Sequence, residues 1–386
     1  MNDSLHVKVD DVVVGGLVSE NGEYIFSYQT QEKTDFISLT MPVRTKDYSH
    51  INLHPIFEMH LPEGYLLSII KKHFSKITKT DDFGLLQLMS PSIVGRVSYE
   101  SHKNMSDSLL TLDELLHSKD EKLFDELVER FALSSALSGV QPKIIARVQN
   151  KATLKLDQYI VKSWGEDYKE LSLNEYYCMK VVQYAGVPTP EFYLSDDEKL
   201  FIMKRFDILE SGEHLGFEDM CVLQAKQRED KYSGSYEQVA KTIQTFVSGK
   251  NKKTSLINFY KMIVINNLLK NGDAHLKNFG LIYSDIDNIS LAPAYDVIST
   301  TAYIKNDVPA LHLLGSKKWW ERKFLLRFGI ESCLLSNKEA NEYYDECLSA
   351  MDKVADEIKP RISSEKNGDK LELLEKLHQI MEKNNE

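Results

Sequence analysis

NGDAHLKN, residues 271 to 278, follows sixteen residues of nearly unbroken apolar sequence, SLINFYKMIVINNLLK, residues 255 to 270. That stretch is apolar almost all round, as expected of a buried central helix rather than a surface one. Gly272 reads as its stop. Immediately beyond, Asp273, His275, Lys277 and Asn278 crowd into six positions. One account is structural, because Asp and Asn are common after helices, where their side chains satisfy turn backbones. The other is chemical: a buried helix is a rigid support, and rigid supports are where reactive groups need to be held.

The downstream order favours chemistry. FGLIYSD and NISLAP read as a hairpin across DIDN, and the second strand runs into Ala-Tyr-Asp296-Val, which returns a second acid beside the first. Protein kinases carry the same D-x-x-x-x-N spacing, with the Asp orienting the substrate hydroxyl, the Asn on magnesium, and a metal-binding Asp after a hairpin. Asn278 and Asp296 supply two oxygen ligands, which suits magnesium, an ion that keeps several waters and takes its remaining ligands from phosphate. Upstream, Lys162 ends an apolar strand and Glu175 sits on the following helix, similar to the lysine and helix glutamate that hold ATP phosphates. Alone, Lys162 also reads as a solvent lysine at a strand end.

Composition bounds the rest. The chain has 386 residues, 42% hydrophobic, with a formal net charge of -11 and a mean hydropathy of -0.34. Such a length suggests two or three units with cores of their own. The negative charge disfavours direct nucleic-acid binding over most of the surface. No stretch approaches the length of a membrane helix, and MNDSLHVKVDD lacks the apolar region of a signal peptide, so a cytoplasmic location with no membrane partner is expected. Cys178, Cys221, Cys333 and Cys347 are scattered, with neither a zinc spacing nor a disulfide framework.

Along the chain, residues 5 to 43 are strand-like (LHVKVDDVVVGGLV, EYIFSY after the turn ENG, DFISLTMPV), with the GG pair at 15 and 16 read as a hairpin turn. Residues 55 to 75 and 83 to 89 take helical spacing, and 93 to 100 return as a strand. A polar linker with a helix occupies 101 to 121. KIIARV and QYIVKSW then read as strands, SLNEYYCMKVVQYAG as a helix ending at Gly186, and KLFIMKRFD as a strand; from about 235 helices dominate, including 338 to 357 and 369 to 382. The expected divisions are 1-104, 105-234 and 235-386.

SGVQPKI (138 to 144), IVKSW (160 to 164), LNEYYC (173 to 178), KRFD (204 to 207), EDMC (218 to 221), NGDAHLKNF (271 to 279) and APAYDVIS (292 to 299), in that order, resemble the HipA family of bacterial serine/threonine kinase toxins. VGGLV, LTMPV, HLPEG and VGRVSY resemble that family's small N-terminal subdomain, so the likeness covers nearly the whole chain up to about residue 300. It implies an α+β, bilobal protein-kinase-like fold of the PI3/4-kinase-like HipA type, with a small β-rich N-terminal subdomain, an all-helical C-lobe, and ATP with magnesium between the lobes.

Carried over by position, the resemblance makes Asp273 the catalytic aspartate, Asn278 and Asp296 the magnesium ligands and Lys162 the ATP-phosphate lysine. Glu175 would orient Lys162, Asp207 would meet the ribose hydroxyls, and Lys143, in the G-x-Q-x-K stretch, would join the ATP site. Lys277 would neutralise charge on the transferring phosphoryl group; His275 reads as a packed loop residue. In this family a serine before that stretch is phosphorylated and switches the kinase off. Its commonest position is Ala136 here, so Ser138 and Ser135 are the candidates, Ser138 being also readable as a turn cap; phosphate there would repel ATP phosphates.

The implied function is transfer of the ATP γ-phosphoryl group to a protein serine, in the family an aminoacyl-tRNA synthetase, with a HipB-like antitoxin as partner and DNA reached mainly through that antitoxin. Two alternatives stand beside it: a catalytically silent kinase-shaped scaffold that binds an antitoxin and co-represses an operon, and a small-molecule or lipid kinase on the same scaffold. His50, His54 and His60 lack the acidic partner of a metal cluster. SKKWWERK, 316 to 323, reads equally as a basic-aromatic patch and as a helix start with two packed tryptophans.

Overall fold

The computed structural model describes residues 4–61, 81–90, 93, 95–100, 112–117, 143–149, 156–163 and 168–382. The chain divides into two compact units, one made of Met1–Ser163, Ser195–Asp230 and Ile282–Asp287, the other of Trp164–Leu194, Lys231–Leu281 and Asn288–Glu386. Ser135 and Ser138 lie outside the described residues, as do 62–75 of the expected early helix and 101–111 of the expected linker.

In the first unit, β1 (Ser4–Val9), β2 (Val12–Glu20), β3 (Glu23–Tyr28), β4 (Tyr48–His50) and β5 (Val97–Tyr99) form a sheet in the order β4-β3-β2-β1-β5. Its tight turns need left-handed backbone. Asn21 and Gly22 supply it between β2 and β3, with φ of 51° and 82°, and Asp10 and Asp11 supply it between β1 and β2, with φ of 49° and 65°. The GG pair is therefore not a turn: Gly15 and Gly16 pair with Val7 and His6 inside the ladder. Glycine is required at 15 because a Cβ there would lie 2.5 Å from the Ser27 carbonyl and 2.7 Å from the Phe26 ring. Phe26 then packs on Phe57 of α1 (Pro55–Glu58), ring centroids 5.6 Å apart.

DFISLTMPV is not a strand either. Ile37 donates its N–H to the Tyr28 hydroxyl at 2.9 Å, and Ser38 and Leu39 turn inward to bond Glu218. Two neutral donors of this segment on one buried carboxylate outcompete a ladder at this point. The unit also holds α2 (Asp82–Met89), α3 (Leu112–His117), the antiparallel strands β6 (Lys143–Gln149), β7 (Leu156–Lys162) and β9 (Phe201–Lys204), then β10 (Gly216–Asp219) and α5 (Met220–Leu223).

The second unit contains α4 (Leu171–Tyr184), β8 (Phe192–Leu194), α6 (Tyr236–Phe246), α7 (Gly249–Leu268), β12 (Ile289–Leu291), α8 (Arg322–Glu331), α9 (Asn337–Ser364) and α10 (Gly368–Glu382), together with the first half of the hairpin strand β11 (Gly280–Tyr283), whose last two residues are counted with the first unit. Helix α7 is the core: Phe259, Tyr260, Val264 and Ile265 are fully buried, and Phe259 meets Phe279 and Phe328 at 5.4 and 6.1 Å. It begins at Gly249, six residues before the apolar run, because its polar first turns face solvent and carry no apolar period.

Nor does α7 stop at Gly272. Lys270 takes φ 56°, Asn271 N–H donates to Asn266 C=O at 2.9 Å and Lys270 N–H to Asn267 C=O at 3.3 Å, the double closure of a Schellman turn with lysine in glycine's place. Gly272 is needed for room, since a Cβ would sit 2.0 Å from Asp307 Oδ2 and 2.8 Å from the Val308 carbonyl.

Candidate active site

The loop after α7 is pinned nearly residue by residue. Asp273 N–H donates to Asn271 Oδ1 at 3.0 Å, and Asn271 Nδ2 is anchored on Asn266 Oδ1 at 2.8 Å. Thr300 receives Gly272 N–H at 2.7 Å and passes its own hydroxyl proton to Lys270 C=O at 3.1 Å. The Tyr236 hydroxyl donates to Ala274 C=O at 3.0 Å and that of Tyr295 to Lys277 C=O at 2.7 Å. Each pin holds a main-chain position, so the side chains of Asp273 and Lys277 remain partly exposed on a fixed backbone.

Asn278 closes the loop in both directions. Its Oδ1 accepts His275 N–H at 3.0 Å, which sets the amide's orientation, and its Nδ2 donates to Asp296 Oδ2 at 2.9 Å. The two residues expected to share a metal are thus adjacent. Asp296 follows the hairpin, which closes with Ala292 N–H on Gly280 C=O at 2.9 Å, and it holds φ 59°. A left-handed aspartate costs backbone energy and persists where surrounding contacts dictate it, a pattern found at functional sites. The contacts are present on its C-terminal side. Ser299 N–H donates to Asn174 Oδ1 at 2.8 Å, and Asn174 Nδ2 returns to Ser299 C=O at 3.0 Å.

The Nδ2 contact sets the Asn278 amide beside the Asp296 carboxylate, and the amide Oδ1 and the carboxylate oxygens are hard donors of the kind magnesium takes alongside phosphate oxygens, so the two residues fit that ion. Asp273 has its own partner, the Tyr232 hydroxyl, which donates to Oδ1 at 2.7 Å. His275 is buried at 6% exposure, with its ring edge-on to Tyr232 at 5.0 Å, as a packed loop residue should be.

Lys162 ends β7, 2% exposed, its ammonium 5.8 Å from the Phe201 ring centroid, and Lys143 opens β6 directly opposite it in register. Glu175 lies on α4 in the second unit, 1% exposed. Asp207 is held by the Arg205 guanidinium, which donates from Nε to Oδ1 at 2.8 Å and from Nη2 to Oδ2, a bidentate pair that fixes the carboxylate plane.

Some motif residues turn out to be scaffold. Glu218 of EDMC is fully buried and accepts from the Ser38 hydroxyl at 2.6 Å, Leu39 N–H at 2.8 Å and the Tyr283 hydroxyl at 2.7 Å; burial pushes its carboxyl up, and these donors oppose that. Asp219 caps α5 through Cys221 and Val222 N–H. His54 caps α1, accepting Ile56 N–H at 3.3 Å, and burial lowers its ring to about 3. In SKKWWERK, Trp319 Nε1 donates to Asp307 C=O at 3.0 Å, while Trp320 exchanges two hydrogen bonds with Asn267 of α7. Trp320 thereby braces the helix that carries the loop. Sequence reading missed Tyr232, Arg205, Asn174 and Thr300; Arg205, two positions from Asp207 in KRFD, and Asn174, beside Glu175 in LNEYYC, had a local signal.

Comparison with known proteins agrees with this architecture. The family model for the HipA N-terminal domain matches residues 5–100, and that for the HipA-like C-terminal domain matches residues 135–355. A Sinorhizobium fredii protein named "Putative kinase Y4dM" is 26% identical over 334 residues, covering 78% of each chain. A Haemophilus influenzae protein named "Putative kinase" is 29% identical over 187 residues, 44% of this chain and 53% of that one. Among solved structures, the Shewanella oneidensis MR-1 toxin–antitoxin complex of HipA, HipB and operator DNA provides a chain that superposes with a TM-score of 0.72 at 15% identity, over 98% of this chain and 96% of that one. Both domain models fall in their proper order along a chain whose fold is that of the solved HipA, and the protein belongs to the HipA family.

Proposed function

We propose that the protein is a HipA-like serine/threonine kinase toxin that transfers the ATP γ-phosphoryl group to a protein serine, an aminoacyl-tRNA synthetase by analogy with the family, and thereby inhibits translation and growth in the cytoplasm. The observation that carries this reading is the Asn278–Asp296 contact of 2.9 Å, made from a loop in which Asp273 is fixed by its neighbours. Asp273 orients the acceptor hydroxyl and takes its proton as the oxygen attacks the γ-phosphorus and the bond to the ADP oxygen breaks. Lys277 faces the charge on the moving group. Asn278 and Asp296 would hold magnesium, which supplies neutralisation of phosphate charge when bound.

Lys162, Glu175 and Lys143 serve the ATP phosphates in this reading, and Asp207, held flat by Arg205, serves the ribose. Ser138 or Ser135 is the site of self-inactivating phosphorylation. A HipB-like antitoxin is the protein partner and carries the main DNA contacts; the Shewanella complex supports that assignment by analogy of fold. The working divisions are 1-104 for the N-terminal subdomain, 105-234 for the N-lobe with its linker and 235-386 for the C-lobe.

The test is incubation with ATP and magnesium followed by intact mass measurement. Wild type is expected to gain one phosphate, on Ser138 or Ser135, and Asp273→Ala none. Absence of any gain in wild type, together with no thermal shift on adding ATP, would sink the kinase reading and leave a scaffold.

A further inference from the structure

Tyr232 belongs to none of the motifs that point to phosphoryl transfer, yet its hydroxyl donates to Asp273 Oδ1 at 2.7 Å. Its ring stands edge-on to His275 at 5.0 Å, and Lys317 Nζ donates to its main-chain carbonyl at 3.1 Å. The residue is nevertheless 41% exposed. It is anchored beside the loop and approaches the acid from the solvent side. A hydroxyl donating to a carboxylate is the ground-state bond that an acceptor makes before it gives up its proton.

We infer that Tyr232 occupies the acceptor position at Asp273 Oδ1, so that a hydroxyl using this oxygen must displace it, and that this contact keeps water from serving as acceptor there. The inference rests on the reading of Asp273 as the acceptor-orienting carboxylate. Water has no second contact with which to drive Tyr232 out. A serine carried on a folded protein has many, because docking contacts around the hydroxyl add to the one it makes with Asp273. Tyr232 thus selects for acceptors that bind through a surface of their own, and selects against free water. In the suppressed reaction, a water oxygen attacks the γ-phosphorus, the bond to the ADP oxygen breaks, and Asp273 receives the water proton, leaving ADP and phosphate.

The test uses Tyr232→Phe in the full chain, which keeps the ring against His275 and removes the hydroxyl alone. With ATP and magnesium, hydrolysis to ADP and phosphate is expected to rise about three- to tenfold, the value of one hydrogen bond to a partly solvated charge; the midpoint of the ATP-dependent thermal shift stays the same. Hydrolysis that falls or does not change overturns the inference, a fall meaning that Tyr232 positions Asp273 for chemistry. Asp273→Asn separates the two layers of the argument. Raised hydrolysis that survives in Tyr232→Phe/Asp273→Asn removes Asp273 from the reaction, whereas a loss in Asp273→Asn with no effect of Tyr232→Phe removes only the present inference. A readout independent of turnover is the ring-carbon NMR signal of Tyr232 in nucleotide-free protein. It should move on Asp273→Asn, and an unmoved signal counts against the contact.

Discussion

Asp296 shows how much a single residue of the candidate site is asked to bear. Its φ of 59° belongs to a region that suits glycine, and an alanine forced into it has neither glycine's freedom nor an aspartate's side-chain bonds. Asp296→Ala and Asp296→Gly both delete the carboxylate that meets Asn278, so both should abolish the proposed phosphoryl transfer. They should differ in stability, with Asp296→Gly about 1 kcal/mol more stable in urea unfolding. Equal stability, or an advantage for alanine, would mean that the left-handed backbone is not imposed by its surroundings. At this scale the sequence is readable where residue type and spacing form a pattern together: Asp273, Asn278 and Asp296 stand out by their order. Tyr232 does not, because it reaches Asp273 across 41 positions, a separation with no pattern attached. Gly272 misled for a different reason. Glycine after a helix ordinarily means a left-handed cap, but Lys270 took that conformation here and left Gly272 to make room for Asp307.

Helices were legible through their buried stripe and illegible where polar residues continue them. The expected end of α9 at 357 anticipates Pro360, yet the helix runs through it to Ser364. Pro360 and Asp356 are both exposed, so the carbonyl that loses its partner meets water instead. The start of α9 lies in a signature that periodicity overlooks, S-x-x-E over 336 to 339. Ser336 accepts Glu339 N–H at 3.2 Å and Glu339 accepts Ser336 N–H at 2.9 Å, with Lys253 of α7 on the same carboxylate at 2.8 Å. Ser336→Ala should cost about 1 kcal/mol in thermal or urea unfolding. The Lys253 ammonium, then the Ser336 donors, hold the Glu339 carboxyl down at about 2 from a usual 4.5. Its folded value is the lower one, so its stabilisation is complete above 4.5 and is lost as pH falls toward 2. The deficit of Glu339→Gln relative to wild type should therefore shrink on acidification through that range. A deficit that is constant with pH would show that the charge contributes nothing.

At the scale of the whole molecule, local signals run out because the first unit is assembled from segments far apart in sequence. Glu218 gathers Ser38, Leu39 and Tyr283, and Arg228 reaches back to Glu58 and Asp82. Strand and helix patterns specify what each segment is, and the chain's family resemblance specified how they assemble; neither periodicity nor composition pairs residues 170 positions apart. Glu58 carries a measurable consequence of that assembly. It is 4% exposed, and burial raises its carboxyl to about 7 from 4.5, against the pull of the Arg228 N–H at 2.8 Å and the Arg228 guanidinium at 3.7 Å; Glu229 and Asp82 add to the rise. Between 4.5 and 7 the folded protein thus holds a proton that the unfolded chain has released, and raising the pH across that window costs stability. Glu58→Gln imitates the protonated acid at every pH. In urea unfolding, wild type should lose stability relative to Glu58→Gln as pH is raised from 4.5 to 7, with no further divergence above. If wild type instead gains on the variant over that interval, Arg228 outweighs burial, Glu58 is charged in the folded protein, and the join between the N-terminal sheet and the segment at 228 is an ion pair rather than a neutral hydrogen-bonded contact.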